Sequence, residues 1–380
     1  MDRWNPKSFL IEGRANGFNA DYLEELVKAG RMIDGKNIPV IYSLAHLASL
    51  SSTLYSDLHS YVDEPPDDCK SQNYKNFTIS KRSGGVRWIS VPCPPLYAAQ
   101  SFIAQEILNR VVPHSAAMAY VPGLPNPLKA NAEKHLDSRW LLKMDIKDFF
   151  SNISERQVYH LFKSLGYSKL LSFEMSRLCT RITPKRLGKR WNVKSKKMNN
   201  RPYDVRHIGS LPQGAPSSPA LSNLICIDMD RELEELARNS NADYSRYADD
   251  LCFSFLNASR DSVFQLKKEA GKVLHKHSFS ENRKKSRIIP PGARKIITGV
   301  VIDSGKASIP KELRSRIRMH LFYCKRFGIP EHCSKKGFRS VLGFRNHLYG
   351  LIMYVRTINQ DQGEKFLDEF SQLPWLNFNI

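Results

Sequence analysis

The stretch of sequence that decides the fold is Tyr244-Ser245-Arg246-Tyr247-Ala248-Asp249-Asp250-Leu251-Cys252-Phe253-Ser254-Phe255. Residues at its two ends favour β-strands, whereas aspartate is unfavourable in strands and favourable in turns. The pattern therefore predicts a strand, a tight turn with two adjacent carboxylates, and a second strand. A solvated turn is the usual explanation of adjacent aspartates, and Asp67-Asp68, which follows two prolines, is of that kind. Apolar residues surround Asp249 and Asp250, so this pair is predicted to be partly buried, which is costly unless a cation neutralises it.

A third acid is predicted to join this turn. Asp145 ends the apolar run Trp140 to Met144, which is typical of a buried strand. Carboxylates on two separate β elements supply the hard oxygen ligands that Mg²⁺ prefers. Two such ions, about 3.5–4 Å apart, suit the in-line transfer of a nucleotidyl group. The three acids therefore predict a site for two Mg²⁺ ions, with Mn²⁺ as a substitute.

The composition indicates a polyanionic partner. The chain has 380 residues, with 58 Lys and Arg against 37 Asp and Glu, a formal net charge of +21. An excess of this size favours nucleic acid as the partner. The seven cysteines form no C-x-x-C pair, and there is no apolar run of about 18 residues and no apolar N-terminal segment. We therefore predict neither disulfides, a zinc site, a membrane span nor secretion, and a cytoplasmic location.

Three regions are predicted along the chain. Residues 1–68 form a helical N-terminal extension, residues 69–302 a mixed core that begins with a β-hairpin, and residues 303–380 a basic helical region. Within the core, residues 182–210 hold nine Lys or Arg against one acid and predict a protruding basic loop or ribbon. Residues 94–111 and the stretch from about Pro219 to Asn239 are each predicted to form one helix.

Three motifs resemble those of one enzyme family. The run Met144-Asp145-Ile146-Lys147-Asp148-Phe149-Phe150 resembles the first catalytic motif of reverse transcriptases, and Leu211-Pro212-Gln213-Gly214-Ala215-Pro216-Ser217-Ser218-Pro219 resembles their nucleotide-pocket motif. Tyr247-Ala248-Asp249-Asp250 matches their signature hairpin. Asn131-Ala132-Glu133-Lys134-His135 resembles the N-A-x-x-H element of bacterial retron reverse transcriptases, and Ile297-Thr298-Gly299 stands where those enzymes carry V-T-G. The resemblance covers roughly residues 75–302.

The resemblance implies an α+β, right-hand polymerase fold, with fingers, a palm built on an antiparallel sheet, and a helical thumb. It implies Asp145, Asp249 and Asp250 as catalytic residues and metal ligands, assisted by the Ile146 carbonyl. The implied nucleotide-binding residues are Arg87, Asp148, Phe150, Gln213 and Lys285.

Each nucleotide-binding role has a competing explanation. Phe150, five residues after Asp145, falls where an aromatic ring excludes the 2′-hydroxyl of a ribonucleotide; a core phenylalanine is the alternative. Arg87 is expected to neutralise the triphosphate, although a solvated surface arginine is equally compatible with the sequence. Lys285 is expected to protonate pyrophosphate, with Lys284 as a near-equal candidate. For Gln213 the alternative is turn chemistry before a helix.

Basic and polar residues outside the pocket are predicted to bind nucleic acid. The residues are Asn131, His135, Arg190, Lys196, Lys197, Arg314, Arg318 and Lys325. The last three are expected on one helical face beside Tyr323 and Phe327, where they grip the backbone of RNA and of the duplex. A charged solvent face is the alternative for these helices, and the basic segment 182–210 is open to RNA or to an acidic protein.

By the same resemblance, the chain copies a cognate structured non-coding RNA into RNA-linked single-stranded DNA, called msDNA, from dNTPs. It also implies an antiphage defence system with an effector protein encoded nearby. Residues 303–380 are too few and too basic for a ribonuclease H domain, so a host ribonuclease H is expected to remove the template. The alternatives are a group II intron-like or abortive-infection reverse transcriptase, and a non-catalytic RNA-binding scaffold.

Overall fold

The computed structural model describes residues 4–63, 73–80, 84–182, 208–303 and 305–375. The predicted basic segment 182–210 lies almost entirely outside these ranges. Three of the predicted nucleic-acid contacts, Arg190, Lys196 and Lys197, therefore lie outside the described residues.

The described N-terminal residues form short helices, as their apolar spacing predicts. The helices are α1 (Pro6–Ala15), α2 (Ala20–Asp34), α3 (Leu44–Leu50) and α4 (Tyr55–Asp63). The side chains of Asn5, Asn19 and Ser43 accept hydrogen bonds from first-turn N–H groups. These caps satisfy donors that a helix start leaves unpaired. Ile33 of α2 and Leu47 of α3 are buried in the main core cluster, so these helices pack against the rest of the molecule.

A β-hairpin follows, formed by β1 (Tyr74–Ser80) and β2 (Val86–Pro92). The next helix, α5 (Pro94–Phe102), passes into a π-helical turn (Ile103–Ile107) and a 3₁₀ turn (Leu108–Arg110). The prediction of one regular helix over 94–111 is therefore wrong after Phe102. The wider π turn keeps Ile103 and Ile107 fully buried together.

Among the described strands, four form one antiparallel sheet in the order β4-β5-β3-β6. The strands are β3 (Trp140–Asp145), β4 (Ala242–Tyr247), β5 (Asp250–Phe255) and β6 (Arg287–Ile289). We call β4, β5 and the turn between them the Asp-Asp hairpin. The register pairs Trp140 with Phe255 at one end and Asp145 with Asp250 at the other. The pairing thus brings the third acid to the tip of the hairpin.

Helices cover one face of this sheet. These helices are α7 (Glu155–Leu165), α8 (Lys169–Cys179), α9 (Ser218–Ile225), α10 (Ile227–Asn239) and α11 (Arg260–Lys276), whereas α6 (Pro127–Glu133), which precedes β3, places Ala132 in a second core cluster. Leu142, Met144 and Phe253 of the sheet share one core cluster with α7, α8, α10 and α11. The predicted helix from Pro219 to Asn239 is split, because the backbone at Cys226 leaves helical geometry (φ −84°, ψ 2°).

The C-terminal helices cover the opposite face. They are α12 (Lys311–Phe327), α13 (Ile329–Lys335), α14 (Val341–Ile358) and α15 (Gln360–Ser371), preceded by the short pair β7 (Ile296–Ile297) and β8 (Val300–Val301). Leu141 and Cys252 share a second core cluster with these elements. Since side chains alternate along a strand, Leu141 and Leu142 point into different cores. Within the described ranges, no helix is long and apolar enough to cross a membrane.

Candidate active site

Three aspartates lie at the same end of the sheet, where β3 ends beside the Asp-Asp hairpin. Asp145 pairs directly with Asp250, and residues opposite each other in an antiparallel pair present their side chains on the same face. The backbone N–H of Ile146 donates to the carbonyl of Asp249 at 2.8 Å, which fixes the hairpin tip against β3. Asp145 is buried and the other two acids are half-buried.

The turn of the Asp-Asp hairpin is strained. Tyr247 pairs with Asp250, so Ala248 and Asp249 are the two loop residues. Ala248 has φ +56°, and Asp249 is not among the described residues with positive φ. A positive φ at the first loop residue alone is the type II′ pattern, in which glycine is usual because other residues lose roughly 1–2 kcal/mol there. The surrounding structure must therefore hold Ala248 in place.

The site is short of positive charge. Burial raises the pKa of Asp249, and the neighbouring Asp145 raises it further. Burial likewise raises the pKa of Asp250, followed by the charge of Asp249. Arg87 and Lys285 oppose the shift at Asp249 but do not cancel it. Such a deficit favours a bound cation.

Asp145 is held by two side chains. Asn282 Nδ2 donates to Oδ1 at 2.8 Å, and Lys285 Nζ donates to Oδ2 at 2.6 Å. The hydrogen bond to Asp145 is the largest cause that raises the pKa of Lys285, so this ammonium is charged at neutral pH. Lys285 thus places one positive charge beside the carboxylates.

The donor set suits a hard divalent cation, although it is not a preformed metal cage. Three carboxylates and the adjacent Ile146 carbonyl offer only oxygen, as Mg²⁺ prefers. Within the described residues, no three His, Cys, Asp or Glu side chains converge as a metal cluster. The chemistry of the residues therefore fits the ion, while their side chains have still to converge on it.

A pocket of about 250 Å³ is lined by Tyr120, which interacts electrostatically with Asp249. Phe150 and Gln213 line it together with two exposed tyrosines, Tyr97 and Tyr120. Phe149 is buried in the core, whereas Phe150 is half-buried and forms the boundary between core and pocket.

The Gln213 loop is docked on β2. The Ser90 N–H donates to the carbonyl of Gln213 at 2.8 Å. Gly214 has φ +114°, and a Cβ there would lie 2.8 Å from Ile89 Cγ2 and 3.1 Å from the Ser90 carbonyl oxygen. Glycine is therefore required both by the backbone conformation and by the close approach of the strand.

The predicted triphosphate residue Arg87 is exposed on β2 and acts electrostatically on Asp249. Asp148 is exposed with φ +49°, and its carbonyl accepts from the Asn152 N–H at 3.0 Å. The sequence patterns did not predict that Tyr120 lines the pocket. It combines 45% exposure with φ +59°, a conformation that a bulky residue rarely adopts, and nothing in its residue type indicates that position.

The prediction that Asn131 and His135 contact nucleic acid is wrong for this structure. Both side chains are fully enclosed, with 1% and 0% exposure. His135 lies 2.7 Å from the hydroxyls of Ser245 and Ser254, and the Ser245 hydroxyl donates to Asn131 Oδ1 at 2.7 Å. The side chains of Asn131 and His135 therefore lie beneath the Asp-Asp hairpin, out of reach of a polyanion.

The basic residues of α12 are placed differently from the expectation. Arg318 and Lys325 are exposed, and Arg314 is half-buried. Tyr323 stacks on Phe327 and on His332, with ring centroids 5.7 and 5.6 Å apart. At about 100° per residue, Tyr323 lies about 140° around the helix from Arg318. The prediction that the cations and these aromatic rings share one face is therefore wrong.

Sequence patterns also missed a buried ion pair. Arg246 and Asp230 are both 0% exposed, and the guanidinium contacts Oδ1 at 2.8 Å and Oδ2 at 2.6 Å. The partners are sixteen residues apart on β4 and α10, so no local spacing joins them.

Known proteins resemble the chain over most of its length. Residues 79–302 match a family model described as "Reverse transcriptase (RNA-dependent DNA polymerase)". The chain is 30% identical over 351 residues to the Retron Mx65 reverse transcriptase of Myxococcus xanthus, covering 90% of this chain and 74% of that protein. It is 27% identical over 373 residues to the Retron Mx162 reverse transcriptase of the same organism, covering 94% and 71%. It is 28% identical over 310 residues to the Retron Ec86 reverse transcriptase of Escherichia coli, covering 78% and 84%.

Proposed function

The chain belongs to the reverse transcriptase family, among the retron enzymes, and on that premise we propose that Asp145, Asp249 and Asp250 form its catalytic centre. It is an RNA-directed DNA polymerase, and the α+β right-hand polymerase fold predicted from the sequence is the fold of this family. The observation that carries the proposal is the strand register that sets Asp145 opposite Asp250.

Two Mg²⁺ ions, with Mn²⁺ as a substitute, would be held by the three carboxylates and the Ile146 carbonyl. When bound, such ions supply Lewis-acid stabilisation of the charge that develops on the transferred phosphoryl group. The raised pKa values of Asp249 and Asp250 support this assignment, because buried negative charge without a partner favours cation uptake.

In this proposal, the chain's own side chains position the incoming nucleotide and protonate the leaving pyrophosphate. Phe150 bounds the pocket under the sugar, and Gln213 contacts the incoming dNTP from the docked loop. Arg87 neutralises the triphosphate, and Asp148 also binds the nucleotide in this proposal, from outside the set of residues that line the pocket. Lys285 is protonated at neutral pH, because its pKa is raised beside Asp145, and in this proposal it donates a proton to the departing pyrophosphate after it leaves Asp145.

The template in this proposal is a cognate structured non-coding RNA, and the product is RNA-linked single-stranded DNA, called msDNA. The net charge of +21 supports a polyanionic partner. The exposed cations Arg318 and Lys325, with Arg314, are the proposed contacts of the described residues. The names of the relatives support a retron system. The proposal also includes a cytoplasmic location, a role in antiphage defence, an effector protein encoded nearby, and removal of the template by a host ribonuclease H.

A primer-extension assay with labelled dNTPs tests the catalytic centre. Asp249→Asn should lower incorporation by roughly 10³-fold, since the loss of a metal ligand removes several kcal/mol of stabilisation. Asp243→Asn, which changes an exposed acid at the far end of β4, is the matched control and should retain activity. Undiminished incorporation by Asp249→Asn would overturn the assignment of the catalytic centre, whereas a wild-type chain that incorporates no dNTP would favour the scaffold alternative.

Sequencing the nucleic acid that copurifies with the chain tests the template. One structured RNA covalently joined to complementary DNA is the expected result. DNA without an RNA template would favour an abortive-infection enzyme, and intron RNA would favour the group II intron-like alternative.

A further inference from the structure

Strand β4 is held by buried polar groups on both of its faces. On one face, the Arg246 guanidinium grips Asp230 of α10, and the Tyr244 hydroxyl donates to the same carboxylate at 2.8 Å. On the other face, Ser245 meets His135 and Asn131 of the N-A-x-x-H motif. None of these groups reaches the pocket, and the proposed chemistry uses none of them.

The second face carries a hydrogen-bond chain with a defined direction. The Ser245 hydroxyl donates to Asn131 Oδ1, so its lone pairs are left to accept from His135 Nε2. His135 Nδ1 then accepts from the Ser254 hydroxyl. Burial lowers the pKa of His135 to about 3, so the ring is neutral and this tautomer persists at physiological pH. One imidazole thereby ties β4 to β5.

The first face reaches the turn directly. Arg246 Nη1 donates to the Ala248 carbonyl at 3.4 Å and to Asn223 Oδ1 at 3.1 Å. Ala248 is the strained loop residue that precedes both acids. A strained residue persists only where its surroundings fix it more tightly than a single contact can.

We infer that His135 and Arg246 are positioning residues, which act from opposite faces of β4 to hold the strained turn so that Asp249 and Asp250 can share cations with Asp145. The inference rests on the proposed function and assigns the N-A-x-x-H motif to catalytic geometry. Neither residue touches substrate. Residues that orient the ligands of a metal site typically change its affinity by about 10–100-fold when they are replaced.

Mn²⁺ binding to the full-length chain, measured by electron paramagnetic resonance, reads out this role without turnover. His135→Gln retains a donor near Nε2 and loses the acceptor for Ser254. We expect a rise of about tenfold in the Mn²⁺ dissociation constant. Arg246→Lys, which retains a positive charge beside Asp230 and loses the bond to the Ala248 carbonyl, should show a similar rise.

A matched control separates positioning from general stability. His320 is a buried histidine of the second core, and its Nδ1 lies 2.8 Å from His332 Nε2. His320→Gln should lower the melting temperature while the Mn²⁺ dissociation constant stays at the wild-type value. Ser254→Ala removes a single link of the same chain and is the milder companion to His135→Gln.

Ala248→Gly tests the link to strain. Glycine accepts a positive φ at no steric cost, so the turn needs less support. Combined with His135→Gln, it should recover most of the lost Mn²⁺ affinity.

The inference is overturned if His135→Gln and Ser254→Ala lower the melting temperature as His320→Gln does and leave Mn²⁺ affinity unchanged. It is also overturned if Ala248→Gly recovers nothing. Asp249→Asn distinguishes this failure from that of the proposed function: if Asp249→Asn abolishes Mn²⁺ binding, only the positioning role is lost. If Asp249→Asn binds Mn²⁺ as the wild type does, the catalytic centre itself has been wrongly placed.

Discussion

Phe150 stands between the core and the pocket, and this position makes its ring a direct test of sugar selection. In Phe150→Ala the ring that we propose faces the sugar is gone, and a 2′-hydroxyl gains room. We expect the preference for dNTP over rNTP to fall by about 10²-fold in single-nucleotide incorporation. Phe149→Leu, which alters the fully packed neighbour, should lower stability and leave the preference intact. If the preference of Phe150→Ala is unchanged, Phe150 has a packing role in the core and no role in sugar selection.

At this scale, the sequence predicted which acids lie together better than it predicted the burial of the polar side chains around them. Asp145 and the hairpin acids were predictable because carboxylates within apolar runs are costly without a cation. Burial of Asn131 and His135 was not, since a short motif does not reveal what packs above it. Tyr120 escaped notice because a left-handed backbone at a tyrosine is set by the fold rather than by residue type.

The contact between the Gln213 loop and β2 is an interaction between elements, and Gly214 tests it. Gly214→Ala places a methyl group against the β2 backbone at a φ that alanine disfavours. The loop must shift, so we expect the KM for dNTP to rise about tenfold, the equivalent of about 1.4 kcal/mol. Steady-state kinetics measures this change.

Gly271→Ala is the matched control for that substitution. Gly271 lies within α11, and a Cβ there meets nothing within 4 Å. Alanine should raise stability by about 0.5–1 kcal/mol, because it is the better helix former, and leave KM unchanged. If Gly214→Ala has the same KM for dNTP as the wild type, the Gln213 loop does not contribute to nucleotide binding.

Element types were largely predictable from periodicity, and the exceptions have physical causes. The sheet strands and the C-terminal helices follow their apolar patterns. The helix over 94–111 changes to a π turn, and the helix from Pro219 bends at Cys226. In both places tertiary packing overrides a propensity that favours continuous helix. The partners Arg246 and Asp230 belong to different elements, so only the fold brings them together.

For the whole molecule, acid should be destabilising through its buried histidines. The pKa of His135 is lowered to about 3 and that of His320 to about 4, in both cases chiefly by burial. Below the ordinary histidine value of 6.5, the unfolded chain binds protons that the folded chain excludes, so stability is complete above pH 6.5 and falls as the pH drops. Between pH 7 and 5.5, His135 should contribute about 1.4 kcal/mol of this loss.

Urea unfolding at the two pH values measures that contribution. His135→Gln should lose about 1.4 kcal/mol less than the wild type over the same interval, whatever its stability at pH 7. Equal acid sensitivity in both proteins would mean that folding does not lower the pKa of His135.

The net charge of +21 predicts salt-dependent RNA affinity. Arg318→Ala and Lys325→Ala should each make the slope of log K against log salt shallower by about 0.7–0.9, the loss of one phosphate contact. Lys272→Ala removes the same charge from α11, where the lysine pairs with Glu269, and serves as the control. Filter binding between low and moderate salt measures the slopes; identical slopes in all variants would place the RNA elsewhere.

The architecture as a whole was predictable because three motifs in order define the family, and its match over residues 79–302 bears out that assignment. The sequence did not predict how the two core clusters share one sheet. Alternation within β3 sends Leu141 and Leu142 to different clusters, but a uniformly apolar run does not say which helices receive them.

That shared sheet has an evolutionary consequence. A single-codon insertion or deletion between residues 140 and 145 would exchange the two sets of buried side chains and turn the carboxylate of residue 145 away from the hairpin. Lineages descending from this gene can therefore drift by substitution in this strand, while its length stays fixed.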